Sequence, residues 1–133
     1  MTAAVAGREA RIAAIEARYA VTLPEDFRSY LGGDCPEQER HDAENTTWWG
    51  LDQIGSLPDA HPYAAAGELA RLAVDKYLVF ADYMVWCWAW AINCGDDEHR
   101  GKIAIIDGSA DRFVAGSFRD FLQLYTVNPS DVF

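Results

Sequence analysis

The sequence predicts an α+β domain in which an antiparallel sheet of about four to six strands packs against N-terminal helices and a C-terminal helix. Three observations support this prediction. Apolar residues recur at helical spacing up to residue 32, alternate with their neighbours between 77 and 116, and return to helical spacing after Ser117. The chain has 133 residues, a usual length for one domain, so we assign 1–133 to a single domain.

Two helices are predicted at the N-terminus. Apolar residues of the first recur at intervals of three, four and seven: Val5, Ile12, Ile15 and Tyr19. The second lies in VTLPEDFRSYLGG, which carries an apolar stripe of Phe27, Tyr30 and Leu31. Thr22 and Glu25 have the spacing of a capping box, and Gly32 with Gly33 provides a stop signal.

The middle of the chain has weaker patterns. Residues 34–47 are polar and acidic without a period, which predicts a loop. Residues 48–57 turn apolar again and are expected to contain a short strand leading into a turn. Residues 58–67 carry two prolines and a glycine and form a connection, and residues 68–76 favour a short helix.

Four segments rich in β-branched and aromatic residues then predict strands, at 77–81, 84–92, 102–107 and 112–116. NCGDDEHRG joins the second to the third, and a tight turn at Asp107-Gly108 leads to the fourth. Ser117 caps a last helix with Asp120 three residues on, and Asn128-Pro129 ends it. The chain shows no internal repeat.

The segment MVWCWAWAI (84–92) contains three of the five tryptophans. As a strand it places Met84, Trp86, Trp88, Trp90 and Ile92 on one face, and Val85, Cys87, Ala89 and Ala91 on the other. Three indoles hide roughly 450–750 Å², against about 300–600 Å² for the largest apolar patch of a typical monomer. We therefore interpret the bulky face as core, with a partly exposed binding wall as the alternative.

The charge balance restricts the partners. The chain has 11 Lys and Arg against 21 Asp and Glu, a net charge of −10. Such a surface repels phosphate backbones, which argues against nucleic-acid binding and is suited to a basic partner. The longest apolar run, 77–92, includes Asp82 and is too short for a membrane helix. With no signal peptide and three cysteines outside any CxxC pair, a cytoplasmic protein is expected.

No catalytic or metal motif stands out. One connection contains five potential metal ligands close together: Cys94, Asp96, Asp97, Glu98 and His99. Their spacing is that of neither a calcium loop nor a zinc site, so we interpret the segment as a solvated turn. We expect no catalytic residues, cofactor or metal. An enzyme would need residues distant in sequence to converge, for example Asp82, His99 and Asp107.

The run IEARYAVTLPEDFRSYL resembles the helix–Leu-Pro–helix signature of the SUKH superfamily, which includes bacterial immunity proteins and fungal cell-wall assembly regulators. The matching positions are Leu23, Pro24, Glu25, Asp26, Phe27, Tyr30, Leu31, Gly32 and Gly33. YLVFADY, the aromatic strand, GKIAIID and SFRDFLQLY follow in the family's order. Many members have a glycine-rich turn before the long strand, where this chain has residues 82–86, which marks a divergent branch.

The resemblance implies a non-enzymatic protein-binding module, often an immunity protein that blocks a toxin such as a nuclease. Partner-binding candidates are the acids of two loops with two neighbouring indoles: Glu37, Glu39, Asp42, Glu44, Trp48, Trp49, Asp96, Asp97 and Glu98. Ordinary solvated surface is the alternative for each acid. The alternative function is a small-molecule or peptide binder with an aromatic-lined pocket. A lightly covered small-residue face or an unpaired strand edge could support a homodimer.

Overall fold

The computed structural model describes residues 3–60, 74–107 and 111–133, with the side chains of the first helix described from Gly7 onwards. In these ranges, four α-helices and seven strands follow one another along the chain. The helices are α1 (Ala3–Tyr19), α2 (Glu25–Gly32), α3 (Leu57–Ala60) and α4 (Phe118–Val127). The strands are β1 (Arg40–His41), β2 (Thr46–Trp48), β3 (Gly55–Ser56), β4 (Tyr77–Tyr83), β5 (Trp88–Asn93), β6 (Ile103–Ile106) and β7 (Arg112–Ala115).

All seven strands belong to one antiparallel sheet. Its order is β1-β2-β4-β5-β6-β7, and β3 pairs with β4 beside β2. A bulge at Phe80 shifts the register between β4 and β5. The predicted α+β architecture is confirmed, with a sheet of seven strands because residues 34–56 contribute three short ones.

An aromatic core joins the sheet to α2 and α4. Phe80 of β4 lies 5.8 Å from the ring of Phe27 in α2 and 5.1 Å from Phe118 in α4. Phe121 contacts both Phe80 and Trp90, with ring centroids at 5.4 and 5.6 Å. These rings are fully or almost fully buried, so burial of the predicted helix stripes against the sheet stabilises the fold.

Of the two predicted helix caps, one is confirmed and the other is wrong. Ser117 accepts a hydrogen bond from the backbone N–H of Asp120 at 3.1 Å, which confirms the cap of α4. The capping box of Thr22 and Glu25 is wrong, because the residue before α2 is Pro24 and no side chain caps this end. Glu25 is already the first helical residue and stands too early to close a box.

The segment 84–92 is not one strand. Tyr83 pairs directly with Trp88, so β4 and β5 form a hairpin whose connection is Met84 to Cys87. Met84 and Trp86 therefore do not lie on the predicted bulky face, and Cys87 is exposed in the turn. The core interpretation is confirmed for Trp90, which is fully buried.

Four local predictions also differ from the structure or lie partly outside the described residues. The predicted loop 34–47 contains β1 and the start of β2, and 48–57 holds a 3-10 turn before β3. Of the helix predicted at 68–76, residues 68–73 lie outside the described residues and Val74–Lys76 form a 3-10 turn. Gly108 of the tight turn also lies outside the described ranges.

Candidate functional site

The antiparallel register gives the sheet two ends. At one end, here called the turn end, Tyr83 pairs with Trp88 and Thr46, and the turn 84–87 adjoins the loop 42–45. At the other, here called the loop end, Tyr77 pairs with Asn93 and the loop 94–101 follows. A strand advances roughly 3.3 Å per residue, so the seven residues of β4 separate the two ends by about 20 Å.

The structure does not bring all predicted acids together. Asp42 and Glu44 lie at the turn end, whereas Asp96, Asp97 and Glu98 lie at the loop end. Glu37 and Glu39 precede β1 along the edge of the sheet. One partner surface of ordinary size could cover one end together with the edge, so the candidates divide into two alternative sites.

Some of these acids are engaged within the protein. Glu37 accepts hydrogen bonds from Arg11 at 2.8 Å and Arg8 at 2.6 Å. The bond from Arg11 and then that from Arg8 lower the pKa of Glu37 despite the opposing effect of burial. Asp97 accepts bonds from the amide of Asn93 and the N–H of His99, and so fixes its own turn.

Other candidate acids face solvent. Glu44, Asp96 and Glu98 are exposed, as is Glu39. Among the described residues, the ion-pair partners of Glu39 and Glu98 are histidine rings, at 3.8 and 3.4 Å. Their carboxylates keep charge that an incoming basic group can use.

The two candidate indoles are buried. Trp48 and Trp49 are 8% and 7% exposed, and Trp48 packs against Phe80, Phe121 and Tyr125. Each indole donates its N–H to a different aspartate: Trp48 to Asp42 at 3.0 Å and Trp49 to Asp82 at 2.7 Å. Adjacent tryptophans thus position two carboxylates at the turn end.

Asp42 holds the loop 42–45. Its carboxylate accepts bonds from the backbone N–H groups of Glu44 at 2.9 Å and Thr46 at 3.0 Å, and from the hydroxyl of Tyr125. Burial raises the pKa of Asp42, but the hydrogen bonds from Tyr125 and Trp48 outweigh it and leave that pKa below its usual value. A charged Asp42 is therefore part of the loop's structure.

Asp82 holds the turn 84–87 in the same manner. Its buried carboxylate accepts the N–H of Trp86 at 3.0 Å as well as the indole of Trp49. Met84 donates its N–H to the carbonyl of Asn45 at 3.1 Å, which ties the turn to the neighbouring loop. The rings of Tyr83 and Trp88 stack below the turn, 4.3 Å apart.

This turn has an unusual backbone. Met84, Val85 and Trp86 have φ of 46°, 52° and 67°, so three consecutive non-glycine residues are left-handed. Each such residue costs roughly 1–2 kcal/mol, and a β-branched valine is especially disfavoured. The conformation points Met84 and Val85 outward, at 51% and 90% exposure. We call these two side chains the turn knob.

Sequence reasoning missed the turn knob. Apolar, β-favouring residues at 84–86 gave no turn signal, since such turns usually contain Gly, Asn or Asp. One signal was present: residues 82–86 stand where the resemblance expects a glycine-rich turn.

We expect Val85→Asn to raise the free energy of unfolding by about 1 kcal/mol, because asparagine tolerates the left-handed region and the valine side chain is almost fully exposed. Urea denaturation of the variant and the parent protein measures the difference. The matched control is Val127→Asn on α4, where φ is helical and no strain is relieved. Destabilisation by Val85→Asn would contradict the strain assigned to this turn.

The loop end contains a cavity of about 680 Å³, lined by polar and small residues that include Glu16, Lys76, Asp96 and Arg100. Lys76 and Arg100 already donate to the backbone carbonyls of Tyr19 and Thr22. No residue of 84–92 lines this cavity, so it is not the aromatic-walled pocket that the alternative function requires.

The three residues named for an enzyme do not converge. Ala89 pairs with both Asp82 and Ile106, so Asp82 and Asp107 lie towards the turn end, whereas His99 belongs to the loop end. Within the ranges that the structure describes, no group of three His, Cys, Asp or Glu side chains could hold a metal ion. The helices of those same ranges include none with the length and apolar character needed to cross a membrane.

The comparison with protein families gives a match. The model of the SMI1 / KNR4 family (SUKH-1) matches residues 7–124, from α1 through the sheet and into α4. Neither a curated protein nor a solved structure matches the chain.

Proposed function

We propose a function from one premise: the chain belongs to the SMI1 / KNR4 family (SUKH-1). Membership supports a non-enzymatic domain of the immunity or regulator type. We propose that this member is a cytoplasmic immunity protein that neutralises a toxin by binding it, and that the toxin domain is basic, as a nuclease domain would be.

The proposal rests on one observation: in the described ranges most basic side chains bond within the protein, whereas several acidic side chains face solvent. Most lysines and arginines of the described ranges bind groups of the protein itself. Arg8, Arg11, Arg18 and Arg28 pair with carboxylates. Three others donate to backbone carbonyls: Lys76, Arg100 and Arg112. The positive charges are thus largely engaged, while Glu39, Glu44, Asp96 and Glu98 extend into solvent.

This arrangement of charges favours a partner of opposite charge. A net charge of −10 on 133 residues attracts a basic domain over distances comparable to the Debye length, about 8 Å at physiological ionic strength. A nuclease surface must be basic to hold phosphates. An acidic protein that covers that surface inhibits the nuclease without catalytic residues of its own, because it excludes the substrate.

The experiment expresses the protein domains encoded by the genes next to this one and measures the binding of each to this chain by calorimetry across a salt series. We expect one of them to be a toxin domain that binds tightly. We expect the affinity to fall about tenfold or more between about 50 and about 500 mM salt, since exposed charges are screened. We also expect co-expression to protect cells from the toxin domain. An unrelated basic protein of similar size is the control and should bind much more weakly.

Different outcomes test the immunity function and its electrostatic basis separately. No binding and no protection would overturn the immunity function. Tight binding with a constant affinity across the salt series would retain the function and remove its electrostatic basis. Glu44→Lys and Glu98→Lys reverse one exposed charge at each end of the sheet, so the variant that loses more affinity in the same calorimetric experiment identifies the end that contacts the toxin.

A further inference from the structure

We propose that the turn knob, Met84 and Val85, is the apolar anchor of the toxin interface and inserts into a pocket within the toxin's basic surface. This inference rests on the proposed function and names the surface that performs it. It selects the turn end over the loop end.

The first argument is where exposed apolar side chains occur. In the described part of the chain, the exposed large apolar side chains are Met84, Val85 and Val127. Two of these three are adjacent and project from one turn, at 51% and 90% exposure. Interface cores are apolar, are surrounded by a polar rim and are enriched in methionine, and this turn presents a methionine with an adjacent valine.

The second argument is how the turn is held. A left-handed backbone at three successive residues opposes local preference, yet the carboxylate of Asp82 binds the N–H of Trp86 and the indole of Trp49 to maintain it. Within the hairpin, the N–H of Cys87 bonds to the carbonyl of Tyr83 at 2.9 Å. A knob that is rigid before binding loses little conformational freedom in the complex.

The third argument is charge, which indicates what kind of partner binds the turn knob. Met84 bonds to Asn45, and exposed Glu44 adjoins that residue, so an acidic side chain flanks the knob. A second copy of the chain would bring the same acids against each other, and a net charge of −10 opposes such contact. A basic domain with an apolar pocket complements both features.

The test compares Val85→Asp with Val127→Asp, because both replace an exposed valine, at 90% and 79% exposure, with the same charge. Binding to the toxin domain that the preceding experiment identifies is measured by calorimetry, and folding by thermal denaturation. We expect Val85→Asp to weaken binding about tenfold or more and Val127→Asp to change it less than about twofold. Aspartate tolerates a left-handed backbone, so Val85→Asp should remain folded.

Val85→Asn provides a second readout, because we expect it to weaken binding while it stabilises the fold, which a purely structural role would not do. Equal affinities for Val85→Asp and Val127→Asp, with a tight wild-type complex, would overturn this inference and leave the proposed function intact. Absence of wild-type binding would overturn both. A wild-type dimer in sedimentation that Val85→Asp dissociates would assign the knob to self-association and also overturn the inference.

Discussion

Replacing Trp90 with alanine is expected to lower the free energy of unfolding by about 3–5 kcal/mol, the loss typical of a buried aromatic residue. Trp90 is fully buried in β5. Its ring contacts Phe121, Tyr125 and Phe133 at centroid distances of 5.6, 6.3 and 6.0 Å. Its indole N–H donates to the carbonyl of Val132 at 2.9 Å, which fixes the C-terminus to the sheet.

Urea denaturation measures this loss, and a pair of phenylalanine variants provides the control. Trp90→Phe removes the bond to Val132 and leaves that carbonyl without its indole donor, so we expect a cost of about 1–3 kcal/mol. Trp88 is half-buried, and its indole N–H has no acceptor in the described part of the chain. Trp88→Phe should therefore cost less than about 1 kcal/mol. Equal losses at 88 and 90 would contradict the assignment of Trp90 as the central core indole.

The second large effect is expected from Asp82→Asn, which should lower the free energy of unfolding by about 2–3 kcal/mol. The carboxylate accepts two bonds, from the indole of Trp49 and the N–H of Trp86, and bonds to a charged acceptor are worth roughly 1.5–3 kcal/mol each. An asparagine keeps one acceptor oxygen but turns its amide group toward the other donor. The turn 84–87 should then lose its left-handed conformation.

The test combines denaturation with amide hydrogen exchange. Faster exchange of the Trp86 amide in Asp82→Asn would show release of the turn. Asp96→Asn, a change of the same type at an exposed loop residue, should be nearly neutral. A double-mutant cycle with Trp49→Phe isolates the bond between the indole and the carboxylate, and additive losses would contradict the coupling that we infer.

Local sequence patterns predicted most of the elements. The stripe of α2, the cap of α4 at Ser117 and the β-branched runs of β4 and β6 involve residues within one element. Local periodicity and capping are sufficient for such features. The order of short motifs also identified the family, which the match over residues 7–124 confirms.

The candidate site was only partly predictable. The acids were visible in the sequence, but the register of β4 and β5 decides that Glu44 and Glu98 lie at opposite ends of the sheet. The indoles of Trp48 and Trp49 seemed available as anchors, whereas their bonds to Asp42 and Asp82 make them supports for two turns. The residues of the turn knob favour strands, so only the glycine-rich turn expected from the resemblance pointed to a turn there.

The sequence by itself determined the α+β class, the helices at each end, the acidic surface and the family. Only the tertiary structure decided where the hairpin turns and which apolar side chains reach solvent. The reason is physical: periodicity and charge act between near neighbours or over the whole surface. The left-handed turn, in contrast, depends on a carboxylate held by an indole 33 residues away, and such a contact exists only after the sheet has formed.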